Sequence, residues 1–180
     1  MKPSAVLLAA SLLSSQPRAG ASASVLTQPV DSPADAWWID EQAFEAAIVA
    51  TTDLYRREHE AGLISWNATL AAFASWYLGN YNCAFRHSGG PFGENMAYGY
   101  ATPAASVAKW GNEGVQYDYS HPGYSSATGH FTQLVWKSTT DVGCARRWCG
   151  GSMSWFIACE YWPRGNMRGN FEQNVGRQVR

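Results

Sequence analysis

Charge is scarce in this 180-residue chain: 15% of residues are charged, 13 Lys and Arg stand against 14 Asp and Glu, and neither sign forms a run. That balance leaves no basic footprint for nucleic acid. The four cysteines include no C-x-x-C pair, which argues against a zinc knuckle. No G-x-S-x-G nucleophile elbow occurs. The main apolar run, Ala5–Leu13, is about half of the roughly 20 residues that span a bilayer, so no stable membrane anchor is expected. No internal repeat is visible. Aromatics, by contrast, are abundant. Nine Trp, nine Tyr and seven Phe exclude a disordered chain, and the length suits one domain.

The N-terminus predicts export. Lys2, the apolar run and two A-x-A patterns, Ala19-Gly20-Ala21 and Ala21-Ser22-Ala23, read as a signal peptide over residues 1–23. The polar stretch Gln173–Arg180 argues against a GPI-type tail. Residues 24–40 are expected to form a flexible lead-in, because they begin rich in Ser, Pro and Ala without periodicity. The domain proper is placed at 41–180. In a secreted, extracellular protein Cys83, Cys144, Cys149 and Cys159 are oxidised, and four cysteines allow three pairings. Asn67-Ala68-Thr69 is a glycosylation sequon.

Hydrophobic spacing predicts a helix from Glu41 with Phe44, Ala47, Ile48, Thr51, Leu54 and Tyr55 on its inner face. Trp66, Leu70, Phe73 and Tyr77 repeat the stripe up to Gly79. Thr102-Pro103 opens a third helix, and a fourth runs from Thr128 through Trp136. Ser154–Trp162 alternates with apolar residues on both faces, the pattern of a buried strand. Val142–Arg146 is its antiparallel partner across Gly150-Gly151, and Cys83–His87 is a third strand candidate. The order of elements indicates an α+β domain.

His87, Glu94, Glu113 and His130 are the polar residues with chemical interest. If they meet, neutral imidazoles bind a metal while carboxylates orient the rings. Spacing alone leaves this open. Glu113 also suits an i, i+4 pair with Lys109, Glu94 suits loop amides, and both histidines suit ordinary partly buried positions. No nucleophile is evident. Ser88 adjoins His87, but neighbours on a strand point to opposite faces.

Gly129-His130-Phe131-Thr132-Gln133-Leu134-Val135-Trp136 resembles the first signature of the CAP superfamily, the cysteine-rich secretory, antigen 5 and pathogenesis-related 1 proteins. Phe156-Ile157-Ala158-Cys159-Glu160-Tyr161-Trp162-Pro163-Arg164-Gly165-Asn166 resembles the second. His87-Ser88 and Gly93-Glu94-Asn95-Met96-Ala97 are similar to the remaining motifs. His87-Ser88-Gly89-Gly90-Pro91 and Tyr117-Asp118-Tyr119 point to the fungal pathogenesis-related 1-like group.

The resemblance implies a three-layer α-β-α sandwich with a central antiparallel sheet. It places His87, Glu94, Glu113 and His130 together in a cleft that binds a divalent metal, with Zn2+ the expected ion. Two histidines make such binding modest, and it should weaken below roughly pH 6.5. Two departures stand out: Glu160 where plant members usually have Asn, and Gly111 where an aromatic is common. The expected disulfides are Cys144–Cys159, stapling adjacent strands, and Cys83–Cys149. The resemblance also implies that sterol or fatty acid is the ligand. Tyr117, Tyr119 and Tyr124 resemble the loop to which sterol binding maps in yeast members, here expected to lie apart from the metal cleft. Without a catalytic residue, the expectation is a monomeric binding protein and not an enzyme. The alternative is a secreted effector or wall-associated protein with a host or cell-wall partner and no lipid cargo, and the less favoured one is a hydrolase, a protease.

Overall fold

Asp40 and Asn67 begin the two longest helices by the same device. The Asp40 carboxylate accepts the Ala43 amide and starts α2 (Glu41–Glu58), while Asn67 Oδ1 accepts the Thr69 and Leu70 amides and starts α3 (Ala68–Asn80). In the computed structural model, which describes residues 33–179, these are joined by α1 (Pro33–Ile39), α4 (Pro103–Gly111), α5 (Gly129–Leu134) and α6 (Phe171–Asn174). Thr102 caps α4 ahead of Pro103, as the sequence indicates. A 3-10 turn, Asn112–Gln116, follows α4 directly. The predicted signal peptide lies outside the described residues.

Four strands, β1 (Ser65–Trp66), β2 (Gly93–Tyr98), β3 (Asp141–Gly150) and β4 (Ser154–Trp162), form one sheet in the order β1-β3-β4-β2. β4 pairs antiparallel with β3 and β2; only the two-residue β1 runs parallel, beside β3. Trp155, Ile157, Cys159 and Tyr161 of β4 enter one core with Phe44, Ile48, Val107, Trp110 and Leu134. Phe156 and Ala158 enter a second core with Ala74, Tyr77 and Leu78 of α3. The sheet therefore lies between α3 and the remaining principal helices, an α-β-α sandwich. Disulfides join Cys144 to Cys159 across β3 and β4, and Cys83 to Cys149.

Three expectations need correction. The lead-in to residue 40 already contains α1, because Trp38 stacks on Trp155 and is buried in the first core. Cys83–His87 is not a strand. Asn82 and Cys83 hold left-handed φ values of 42° and 62°, which break an extended run, and Gly93–Tyr98 occupies the sheet edge instead. Leu54 is exposed, because the buried face of α2 turns through Thr52, Asp53 and Arg56. Arg56 donates to the carbonyls of Gly62, Leu134, Trp136 and Thr139. Burial pulls its pKa down to about 10, so it stays charged at neutral pH, with Asp53 nearby in support.

Candidate functional site

His87, Glu94 and His130 line a cleft of about 550 Å3 at the β2 edge of the sheet, and Glu113 joins it through its bond to His130. His87 Nδ1 lies 2.5 Å from Glu94 Oε1, and His130 Nδ1 lies 2.7 Å from Glu113 Oε1. The four residues come together as two pairs, and among the described residues no group of three or more His, Cys, Asp or Glu assembles as a metal cage.

Each pair is built differently. Glu94 lies on β2, not in the glycine-rich loop before it, and both its oxygens accept the Ser88 amide at 3.1 and 3.2 Å. Glu113 lies in the 3-10 turn, beyond the end of α4. Its Oε2 accepts the amides of His130 and Phe131 at the start of α5. The His130 ring also stacks on Trp110 at 6.1 Å, and Asn95 Nδ2 donates to the His130 carbonyl, tying β2 to α5. Both histidines use Nδ1 for the carboxylate, which leaves Nε2 as the nitrogen available to a ligand.

Glu160 is the group that sequence reasoning noticed but gave no role. It sits opposite Glu94 in the β2–β4 register and is fully buried. Burial, with the Glu94 charge beside it, pushes its pKa up to about 9. Glu160 is therefore protonated at neutral pH beside an ionised Glu94, with neither of its own oxygens hydrogen-bonded. Burial works against ionised Glu94, but hydrogen bonds from His87 and Ser88 outweigh it and its pKa falls. The bond to Glu94 raises that of His87 against the effect of burial. The available signal was a carboxylate in the middle of a strand that is apolar on both faces.

Gly111 has a simple structural reading. A Cβ there would come within 2.3 Å of the Tyr55 ring, so Tyr55 fills the space beside Trp110. The tyrosine loop is less uniform than its spacing suggests. Tyr117 is buried against Phe131, and Tyr119 stands edge-on to Tyr117 with its hydroxyl 3.4 Å from His59 Nδ1. Tyr124 alone of the three is exposed, at 66%. It lines the histidine cleft and a second cavity of about 470 Å3 that also includes Phe171 and Arg168. The expected separation of this loop from the cleft does not hold at Tyr124. Asn67 caps α3, and its Nδ2 donates to Asp141.

Ser88 Oγ accepts the Gly90 amide, while His87 Nδ1 faces Glu94, so this neighbouring Ser and His do not form a nucleophile–base pair.

Known proteins agree with this architecture. The chain is 45% identical over 135 residues to Protein PRY2 of Saccharomyces cerevisiae, covering 73% of this chain and 41% of that protein. It is 37% identical over 139 residues to the Secreted protein RBT4 of Candida albicans, covering 73% and 38%. It thus spans about two fifths of the length of these curated relatives. The crystal structure of NaASP2 with Zn2+ superposes with a TM-score of 0.54 at 20% identity, over 78% of this chain and 86% of that one, a likeness of fold. The profile of the cysteine-rich secretory protein family matches residues 49–161, and together with these relatives it establishes that the chain belongs to that family, CAP.

Proposed function

We propose that this protein is an extracellular binding protein whose cleft takes a divalent cation, Zn2+, between His87 and His130, and which carries a sterol or related small lipid. The observation that supports the metal reading most strongly is the pairing of both Nδ1 atoms with carboxylates. A carboxylate that accepts Nδ1–H fixes the tautomer, orients the ring and raises the basicity of Nε2. Glu94 and Glu113 therefore orient the ligands and solvent completes the shell, which makes binding modest. A bound cation would supply a fixed positive charge between the walls of the cleft. Export fits relatives named as secreted proteins, and no described helix is long and apolar enough to cross a membrane.

The lipid reading is supported by Tyr124, whose exposed ring stands between two cavities. Tyr117 and Tyr119 anchor the base of the loop, and Tyr124 supplies the contact, with an apolar ring face and a hydroxyl for the sterol 3-OH. Removing it should cost about 1.5–3 kcal/mol of apolar burial, tenfold or more in affinity. The test is titration with radiolabelled sterol. Tyr124→Ala should bind at least tenfold more weakly while keeping the wild-type melting temperature. Absence of saturable binding by wild-type protein would end the lipid reading and favour the effector reading.

A further inference from the structure

The glycine-rich loop Gly89-Gly90-Pro91-Phe92-Gly93 has a role apart from the cleft it borders. A Cβ on Gly90 would come within 2.5 Å of the Phe73 ring, so the bare glycine lets that ring of α3 lie against the loop backbone. The loop then carries Phe92 out beside it. Phe92 stands edge-on to Phe73 at 5.1 Å and edge-on to Trp162 at 6.1 Å, and Phe73 lies 5.6 Å from Trp76. Four rings thus form a continuous wall, Trp76–Phe73–Phe92–Trp162, from the outer face of α3 to the rim of the cleft that Phe92 lines. Trp76 is 55% exposed and Trp162 49%. Phe73 and Phe92 between them are half-buried, so the two exposed tryptophans are the ends of one connected aromatic surface and not isolated rings.

The charge pattern narrows the partner. None of the thirteen residues of α3 is charged, and its exposed side presents Ala72, Ser75 and Trp76. A helix exposed on one face normally carries charged residues there. A charged partner finds no counter-charge on α3. An interfacial membrane helix would bring Lys or Arg on its polar face, and α3 has none. Aromatic rings beside an uncharged helix face with a small hydroxyl neighbour, Ser75, suit a ligand with apolar C–H faces and a hydroxyl edge.

We infer that the Trp76–Phe73–Phe92–Trp162 wall binds an uncharged polysaccharide through stacking of its pyranose rings. The inference rests on the extracellular reading, which brings the protein to such chains, and is independent of metal and sterol. The test is isothermal titration with three probes, chitohexaose, laminarihexaose and cellohexaose. Wild-type protein should bind at least one of them saturably. Trp76→Ala/Trp162→Ala should weaken that binding tenfold or more, and His87→Ala/His130→Ala should leave it unchanged. Both tryptophans are half exposed, so the double variant should stay folded, and circular dichroism checks this. Failure of all three sugars to bind, or equal binding by wild type and the tryptophan variant, overturns the inference. So does finding that the same variant instead abolishes self-association in sedimentation or adsorption to phosphatidylcholine vesicles.

Discussion

The two halves of the cleft share one bond and differ in nearly everything around it. The His130 imidazole is the more covered of the two rings, at 32% exposed. The Glu113 carboxylate is braced by two backbone amides at a helix start, and the His130 ring rests on Trp110. The His87 half exposes 66% of the imidazole, and its carboxylate accepts one loop amide and lies opposite a buried second carboxyl, Glu160. The His130 half is therefore braced by backbone, whereas in the His87 half the burial and proximity of Glu94 and Glu160 shift the protonation of the side chains themselves.

The largest effect should follow loss of both rings. His87→Ala/His130→Ala should abolish measurable zinc binding by calorimetry, and affinity equal to wild type would break the proposal. Next come the supporting carboxylates. Glu94→Gln and Glu113→Gln should each cost about 10–100-fold in zinc affinity, with rings and fold intact. A third effect separates the halves through Glu160. Its folded pKa of about 9 is far above the ordinary carboxylate value, so its protonated form stabilises the fold fully below about pH 4.5, and this contribution is lost as pH rises through 9. Glu160→Gln, which imitates the protonated acid, should melt roughly 5 °C or more above wild type at pH 9 and close to it at pH 5. Parallel melting curves across that range would contradict the assignment. The smallest effect concerns protons at His87. Because Glu94 raises its pKa, acid should begin to weaken zinc binding above the free imidazole value of about 6.5. Glu94→Gln should move that midpoint downward.

The sheet and helices were legible where periodicity is strong. Ser154–Trp162 reads as a doubly buried strand because both its alternating sets are apolar, and Thr102-Pro103 announces α4 by its cap. What escaped were features set by contacts distant in sequence. Trp38 orders α1 only because Trp155 waits for it across the chain. Arg56 lies in the core because four carbonyls from two segments, Gly62 and the stretch 134–139, converge on it, and no local pattern shows that convergence. At the site, spacing supplied candidates but left their meeting open, and family resemblance brought them into one cleft. The β2–β4 register that sets Glu160 against Glu94 was hidden because Gly93–Tyr98 did not read as a strand. The tyrosine spacing likewise could not reveal that Tyr117 and Tyr119 pack inward and leave Tyr124 at the cleft.

The central claim is that two imidazoles, each held at Nδ1, offer Nε2 to one cation. Long-range proton–nitrogen NMR of the histidine rings near pH 8 tests it directly. Both His87 and His130 should appear as Nδ1–H tautomers, and their Nε2 resonances should move together and saturate at one equivalent of Zn2+. An Nε2–H tautomer at either residue, or a zinc response confined to one ring, would contradict it.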